Sequence, residues 1–459
     1  MRAAEMCVLS SLVLAACGGE EFTAGANSSD AGIDTSSDIV VAPDSPSDVQ
    51  PDDAMNPDAL LDADVFTKPD AGDAEAGPNK PKPPKANFYS DAPCPFPASL
   101  SYEQVSNTLL MACGAYAGQP NALHRSQPLN QNGAWTKVGN AKGYPSNHIA
   151  LNDQYYLVTH SAPNGFTIIN GKNNTSTASV DFAAISPLDP LYAQIKSTIN
   201  NPAGAVLVGG QLCVATSNLD QIDPNDPSKT TFKPGSVICT PYNFDGTVSV
   251  AMTYALMTSG VNPTGMALID KDPVSVDGGT IQRFAALSSN SYANNPADDA
   301  KLDIFEINSG SSNSISLGKR TTQTAPVLAR TEDGASFLIG VQKPSAGFLG
   351  IRWEDGASSY PSTQLKANNY IYGMGIFGKL ALATDAGMYD NPAKSGQLII
   401  QNMDPSGWKG ELATPLPGMA GPSIVINGKH FAAVTVSVQG DAGPESKGQV
   451  LVTDLAGLQ

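Results

Sequence analysis

Three aspartates spaced three residues apart, Asp220, Asp223 and Asp226, stand in the polar stretch NLDQIDPNDPSKTTF between two apolar runs. Carboxylates are hard oxygen ligands, and three of them on one loop can wrap a calcium ion, although the i, i+2, i+4 spacing of an EF-hand loop is missing. The plainer reading is a polar insertion whose Asp side chains form Asx-turns before proline. The stretch NNPADDAKLD at 294–303 is read the same way. Calcium is therefore the one cofactor to consider, and it is not required. Two of the four histidines have placements of interest. His160 follows YYLVT, where a strand runs out into a loop, and His148 precedes the run that reads as the first inner strand. Either could line the mouth of a channel, but a backbone-bonded or solvated histidine is the commoner outcome. No G-x-S-x-G, H-E-x-x-H, phosphate-binding loop or G-x-G-x-x-G occurs. The acids are scattered through many loops, so no pair stands out for glycoside hydrolysis. Basic clusters with interleaved aromatics are absent, which argues against nucleic-acid binding.

The elements that would position these residues repeat. Six apolar runs share a pattern: YYLVTHS (155–161), LCVATSN (212–218), FAALSSN (284–290), FLIGVQK (337–343), LALATDA (380–386) and FAAVTVS (431–437). Each follows an apolar run that ends in a turn, such as GAVLVGGQ or SIVINGKH, with Asp or Gly at the bend. Such residues supply the positive φ of tight hairpins. Each central run is followed, after a polar loop, by another strand-like run: GFTIING, SVICTPYN, KLDIFEIN, GFLGIRWEDG, GQLIIQNMDPSG and GQVLVTDLAG. The central runs start 57, 72, 53, 43 and 51 residues apart. These units have the length and content of propeller blades, each a three- or four-stranded antiparallel meander. The expected fold is an all-β propeller of six blades over 133–459, with seven as the alternative count and a β-sandwich as the alternative architecture.

The motifs YLVTH, CVATS and ALATD, with NPTGMALI before FAALSSN, resemble those of the YVTN-type bacterial β-propellers over about 320 residues. The resemblance implies the propeller fold and no particular activity.

At the start of the chain, MRAAEMCVLSSLVLAAC has Arg2 and a nine-residue apolar run from Met6 to Leu14. That is too short to cross a hydrocarbon core of about 30 Å as a helix. Leu14-Ala15-Ala16-Cys17 resembles the lipobox of bacterial lipoproteins, which implies cleavage before Cys17 and acylation of its thiol. Gly18 after it, rather than Asp, implies passage to the outer membrane. Two or three acyl chains anchor a protein stably where one does not.

Residues 1–79 hold 16 of the 43 acids against Arg2 and Lys68, whereas 80–459 hold 27 acids and 24 bases. The acidic character thus belongs to the leading segment. Residues 17–90 are rich in Asp, Pro, Ser, Gly and Ala and lack a sustained apolar period, as expected of a disordered tether. Residues 91–132 contain Ser101-x-x-Gln104, a capping-box pattern, and are expected to hold a short helix. The C-terminal unit ends after three strands, and GAWTKVG at 133–139 is expected to supply its fourth and close the ring.

With Cys7 removed in the signal and Cys17 acylated, Cys94, Cys113, Cys213 and Cys239 remain. An even count in an exported chain argues for two disulfides, and zinc-like spacing is missing. Cys213 and Cys239 fall on runs expected to be antiparallel neighbours, within disulfide reach of each other. Cys94 and Cys113 then pair by elimination. Two functional classes follow. One is a monomeric, lipid-anchored propeller at the cell envelope that binds a protein, peptide or glycan through its loops. The other is an exported propeller enzyme, a lyase, hydrolase or quinone-dependent oxidoreductase, with its site at the central channel.

Overall fold

Runs of alternating or wholly apolar residues, separated by two-residue Gly and Asn turns, can satisfy their backbone groups only by pairing with one another. The computed structural model describes residues 80–458 apart from 115–120, 132–133, 222–230, 277–278, 290–298, 308–311, 319, 322–325, 332–333, 344–346, 353, 355, 357, 365–370, 388–394, 405, 427–430 and 440–445. Cys17, the lipobox and most of the expected tether lie outside these residues, as do Asp223 and Asp226.

The described strands form seven antiparallel sheets of four or five strands. In chain order of their first strands, sheet 1 begins at Pro97–Glu103, sheet 2 at Tyr144–Ala150 and sheet 3 at Ile199–Val208. Sheet 4 begins at Pro263–Leu268, sheet 5 at Val327–Thr331, sheet 6 at Ile371–Phe377 and sheet 7 at Met419–Ile426. Sheet 5 also takes the two-residue strand Arg320–Thr321 on the same side. The second strands of sheets 2, 3, 5 and 7 contain four of the central runs, at Tyr155–Ser161, Gln211–Gln221, Gly334–Lys343 and Phe431–Gln439, and those of sheets 4 and 6, Gly279–Ser288 and Leu380–Asp385, hold all but the last residue or two of the other two.

Sheet 1 is made from the segment expected to hold a helix. Pro97–Glu103 is a strand paired with Thr108–Cys113, so the capping-box reading at Ser101 and Gln104 is overturned. The tertiary environment outweighs the local signal. Every residue of Thr108–Cys113 is buried, and Ser101 turns its hydroxyl to His148 of sheet 2 instead of to its own backbone. Thr136–Asn140 is the fourth strand of sheet 1, so 133–139 does not complete the C-terminal unit. That role falls to Ala86–Asp91, paired with Ser446–Asp454. This strand starts inside the stretch assigned to the tether, because Tyr89 is apolar enough to be buried while Phe88 and Asn87 remain exposed.

Neighbouring sheets touch through their first strands. Those of sheets 1 and 2, 2 and 3, 3 and 4, 4 and 5, 5 and 6, 6 and 7, and 7 and 1 are all in contact. The approach is close: a Cβ on Gly204 would meet the backbone N of Met266 at 2.6 Å, and one on Gly375 would meet Val425 Cγ2 at 2.3 Å. Gly373 faces Ser423 and Gly375 faces Val425, so these two first strands run in the same direction. Apolar clusters fill the space between sheets, as where Leu157, Phe166 and Ile168 of sheet 2 pack with Leu212, Val214 and Ile238 of sheet 3. The α-helix α1, Pro190–Ile195, lies in the connection between these two sheets, with Asp189 capping it through Oδ2 to Tyr192 N.

Candidate functional site

A recurring threonine marks one end of the sheets. Thr159, Thr216, Thr384 and Thr435 sit in their second strands and are fully buried. A buried hydroxyl must find a partner, and these find carbonyls that strand irregularities set free. The first strands slip register between Pro97 and Ser99, Pro145 and Asn147, Pro263 and Gly265, Ile371 and Gly373, and Ala420 and Ser423, with two slips around Pro202. Thr159 Oγ1 lies 3.3 Å from Asn147 O of its own first strand and 3.4 Å from Ala203 O of the next sheet. Thr384 Oγ1 is placed alike, 3.4 Å from Gly373 O and 3.3 Å from Gly421 O. Thr435 donates to Pro422 O at 3.1 Å. The bulges coincide with a Pro–small-residue step that recurs as Pro97-Ala98, Pro145-Ser146, Pro202-Ala203, Pro263-Thr264 and Pro422-Ser423. Proline has no N–H to leave unpaired at a bulge. That step was available in the sequence and marks the first strand of sheet 1, which the six central runs do not reveal.

Just beyond the threonine position, a buried polar residue fastens the loop that follows. His160 is fully buried, with Nδ1 2.8 Å from Pro163 O and Nε2 3.0 Å from Thr167 Oγ1. The carbonyl fixes the proton on Nδ1, so Nε2 accepts from the threonine. Burial holds its pKa below the ordinary histidine value, against backbone hydrogen bonds that raise it. Asn218 Nδ2 donates to Pro234 O at 2.7 Å, and its Oδ1 accepts from Ser236 Oγ at 3.2 Å. Asp385 accepts from Gln397 Nε2 at 3.1 Å and Gly387 N at 3.3 Å. Ser437 Oγ donates to Pro95 O at 2.5 Å. His160 is therefore a buried loop anchor.

His148 lies deeper, on the first strand of sheet 2. Its Nδ1 is 2.6 Å from Ser99 Oγ and its Nε2 2.6 Å from Ser101 Oγ, both on the first strand of sheet 1. It is 4% exposed, and burial lowers its pKa to about 4. At neutral pH the ring is uncharged, donating to one serine and accepting from the other. The three side chains bridge sheets 1 and 2.

Asp220 stays at the surface and pairs with Lys233 at 3.1 Å. Both side chains are about half exposed, so the pair contributes little. Among the described residues no three His, Cys, Asp or Glu side chains converge on a metal position. Below this loop Cys213 and Cys239 are directly opposed in register and joined by a disulfide, Cα to Cα 4.1 Å. The second disulfide joins Cys94 to Cys113.

Two polar clusters had no sequence signal, since their members are far apart in the chain. Asp303 is 3% exposed, accepts from Ser259 N at 3.1 Å and Ser259 Oγ, and joins the last strand of sheet 3 to sheet 4. Burial raises its pKa, against the hydrogen bonds from Ser259 and Ser314. Glu103, Arg125 and Tyr156 join sheets 1 and 2 at the opposite end from the loop anchors, with Arg125 Nε 3.3 Å from Glu103 Oε2 and its guanidinium 5.5 Å from the Tyr156 ring centre. Burial lifts the Tyr156 hydroxyl pKa to about 12. Each cluster spans two sheets, which is the arrangement of structural bracing.

No protein-family model matches this chain, and a search of the curated proteins finds no match. What the geometry offers is a set of loops held at their roots. In a meander, second-to-third-strand connections all leave by the end where the first strands begin. Here they span residues 222–230, 289–300 and 386–396 in sheets 3, 4 and 6, each anchored by Asn218, Ser289 or Asp385.

Proposed function

We propose that this chain is a lipid-anchored β-propeller of the cell envelope, with seven blades, that binds a protein, peptide or glycan through its loop-bearing end. The observation that carries the reading is the pairing of anchored roots with the long polar connections 222–230, 289–300 and 386–396 at one end of sheets 3, 4 and 6. Rigid scaffolds that present variable loops are a common solution for recognition. Seven sheets in a circuit of first-strand contacts support the propeller and its blade count. Two disulfides accord with an exported chain. The anchor itself rests on the resemblance of Leu14-Ala15-Ala16-Cys17 to a lipobox.

The loops are the test of binding. Replacing 290–298 or 388–394 with Gly-Ser segments of equal length should leave the melting temperature within a few degrees and abolish binding to a glycan array or a photo-crosslinked envelope protein. Loop-replaced protein that binds every ligand as the wild type does would refute the reading.

A further inference from the structure

The outer edge of sheet 3 carries large apolar side chains in water. Leu188 is 90% exposed, Phe244 69%, Met252 68% and Val250 38%. They belong to adjoining elements. Leu188 N donates to Ala251 O, which ties the segment before α1 to the short 3-10 turn Val250–Met252. Phe244 tops the turn between Thr231–Asn243 and Thr247–Val248, its ring edge-on to Tyr242 at 5.5 Å. Single exposed apolar residues need no explanation, but neighbouring ones on a firmly held edge mark a contact surface.

The residues beneath are well fixed. Asp189 Oδ2 accepts from Tyr192 N and from Ala255 N at 2.9 Å, fastening α1 to the last strand of sheet 3. Thr177 Oγ1 donates to Gly246 O at 3.0 Å, fastening the Phe244 turn to sheet 2. The side chains are thus presented outward by a rigid support.

We propose that this edge rests on a lipid surface, with Leu188, Val250, Met252 and Phe244 entering the headgroup layer. The inference rests on the anchored reading above. Cys17 and Lys80 are 63 residues apart in the chain. An acylated Cys17 would hold the sheets within reach of the bilayer at all times, at a high effective concentration. The anchor then adds to an insertion that these four side chains make by themselves, and the two together orient the sheets. The charges on the same elements, Asp189 and Asp245 against Lys196, make no basic patch, so the surface suits zwitterionic lipid.

The test uses the full chain carrying Cys17→Ala, which removes acylation from the result. Flotation with phosphatidylethanolamine–phosphatidylcholine vesicles should recover the protein with lipid. Leu188→Asp with Met252→Asp should lower the bound fraction at least tenfold, and Phe244→Ser should lower it by a smaller factor with an unchanged melting temperature. Failure to float, or flotation indifferent to all three substitutions, overturns the proposal. So does loss of self-association in the same variants, which would assign the edge to a second copy of the chain. Fatty-acid labelling of the wild type reports on the anchor separately, so the two failures are distinguishable.

Discussion

Cys94 is bonded to Cys113, with Cα atoms 5.9 Å apart, and this bond crosses from one sheet to the next. Cys94 follows the strand Ala86–Asp91, which completes sheet 7, while Cys113 ends the second strand of sheet 1. The seam is reinforced by Tyr89 Oη donating to Gln127 O at 3.0 Å and Trp135 Nε1 donating to Ser90 Oγ at 3.0 Å. The two ends of the circuit are therefore fastened by a covalent bond as well as by the strand.

Removing this bond with Cys94→Ala and Cys113→Ala should cost about 3 kcal/mol by the loop-entropy relation, for a separation of 19 residues. Hydrogen exchange should speed up at 86–91 and 446–454. Cys213→Ala with Cys239→Ala should cost a similar amount and leave exchange at the seam as it was. Equal effects on the seam from both pairs would show that the Cys94 bond does not hold it.

The recurring threonine predicts a second set of outcomes. Thr384→Val keeps the side chain's shape and removes its hydroxyl, leaving the carbonyls of Gly373 and Gly421 without that donor. A loss of about 1–2 kcal/mol is expected, read as a lower urea midpoint with unchanged slope. Thr159→Val should behave alike. A neutral result in both would mean that the bulged carbonyls find water instead.

Acid should weaken the fold through His148. Burial holds its pKa at about 4 in the folded protein, against an ordinary value of 6.5. The unfolded state then binds more protons between these values, so stability is fully present above about pH 6.5 and falls as the pH drops towards 4. The slope is at most about 1.4 kcal/mol per pH unit for one group. His124, lowered to about 4 by burial and Lys137, and His160 act in the same direction. Asp303 opposes them, because its raised pKa favours the protonated form. Denaturant titrations from pH 7 to 4.5 should show a shallower decline for His148→Gln than for the wild type. An identical decline would place the titration elsewhere.

The proposed anchor predicts that a fatty-acid label marks the wild type and not Cys17→Ala, which should become soluble. An unlabelled wild type would remove the lipoprotein reading.

The strands of six sheets were legible because their runs alternate, end in Gly or Asp turns and recur. Sheet 1 was hidden, since its second strand TLLMAC is apolar throughout and lies near Ser101-x-x-Gln104, a local signal that long-range pairing overrides. Closure by an N-terminal strand was anticipated in kind, but Ala86–Asp91 has only six residues and follows a run of prolines and lysines. The Cys213–Cys239 partnership could be read from its two runs. The Ser99–His148–Ser101 bridge could not, because it depends on which sheets become neighbours.

Closure by residues 86–91 is tested most directly with a paired cysteine substitution, Asn87→Cys with Val452→Cys, two positions opposed in register. Mild oxidation should give near-complete linkage within one chain and a protein of unchanged hydrodynamic radius. Absence of that link, or its appearance only between chains, would contradict a circuit of seven sheets sealed by its own N-terminal strand.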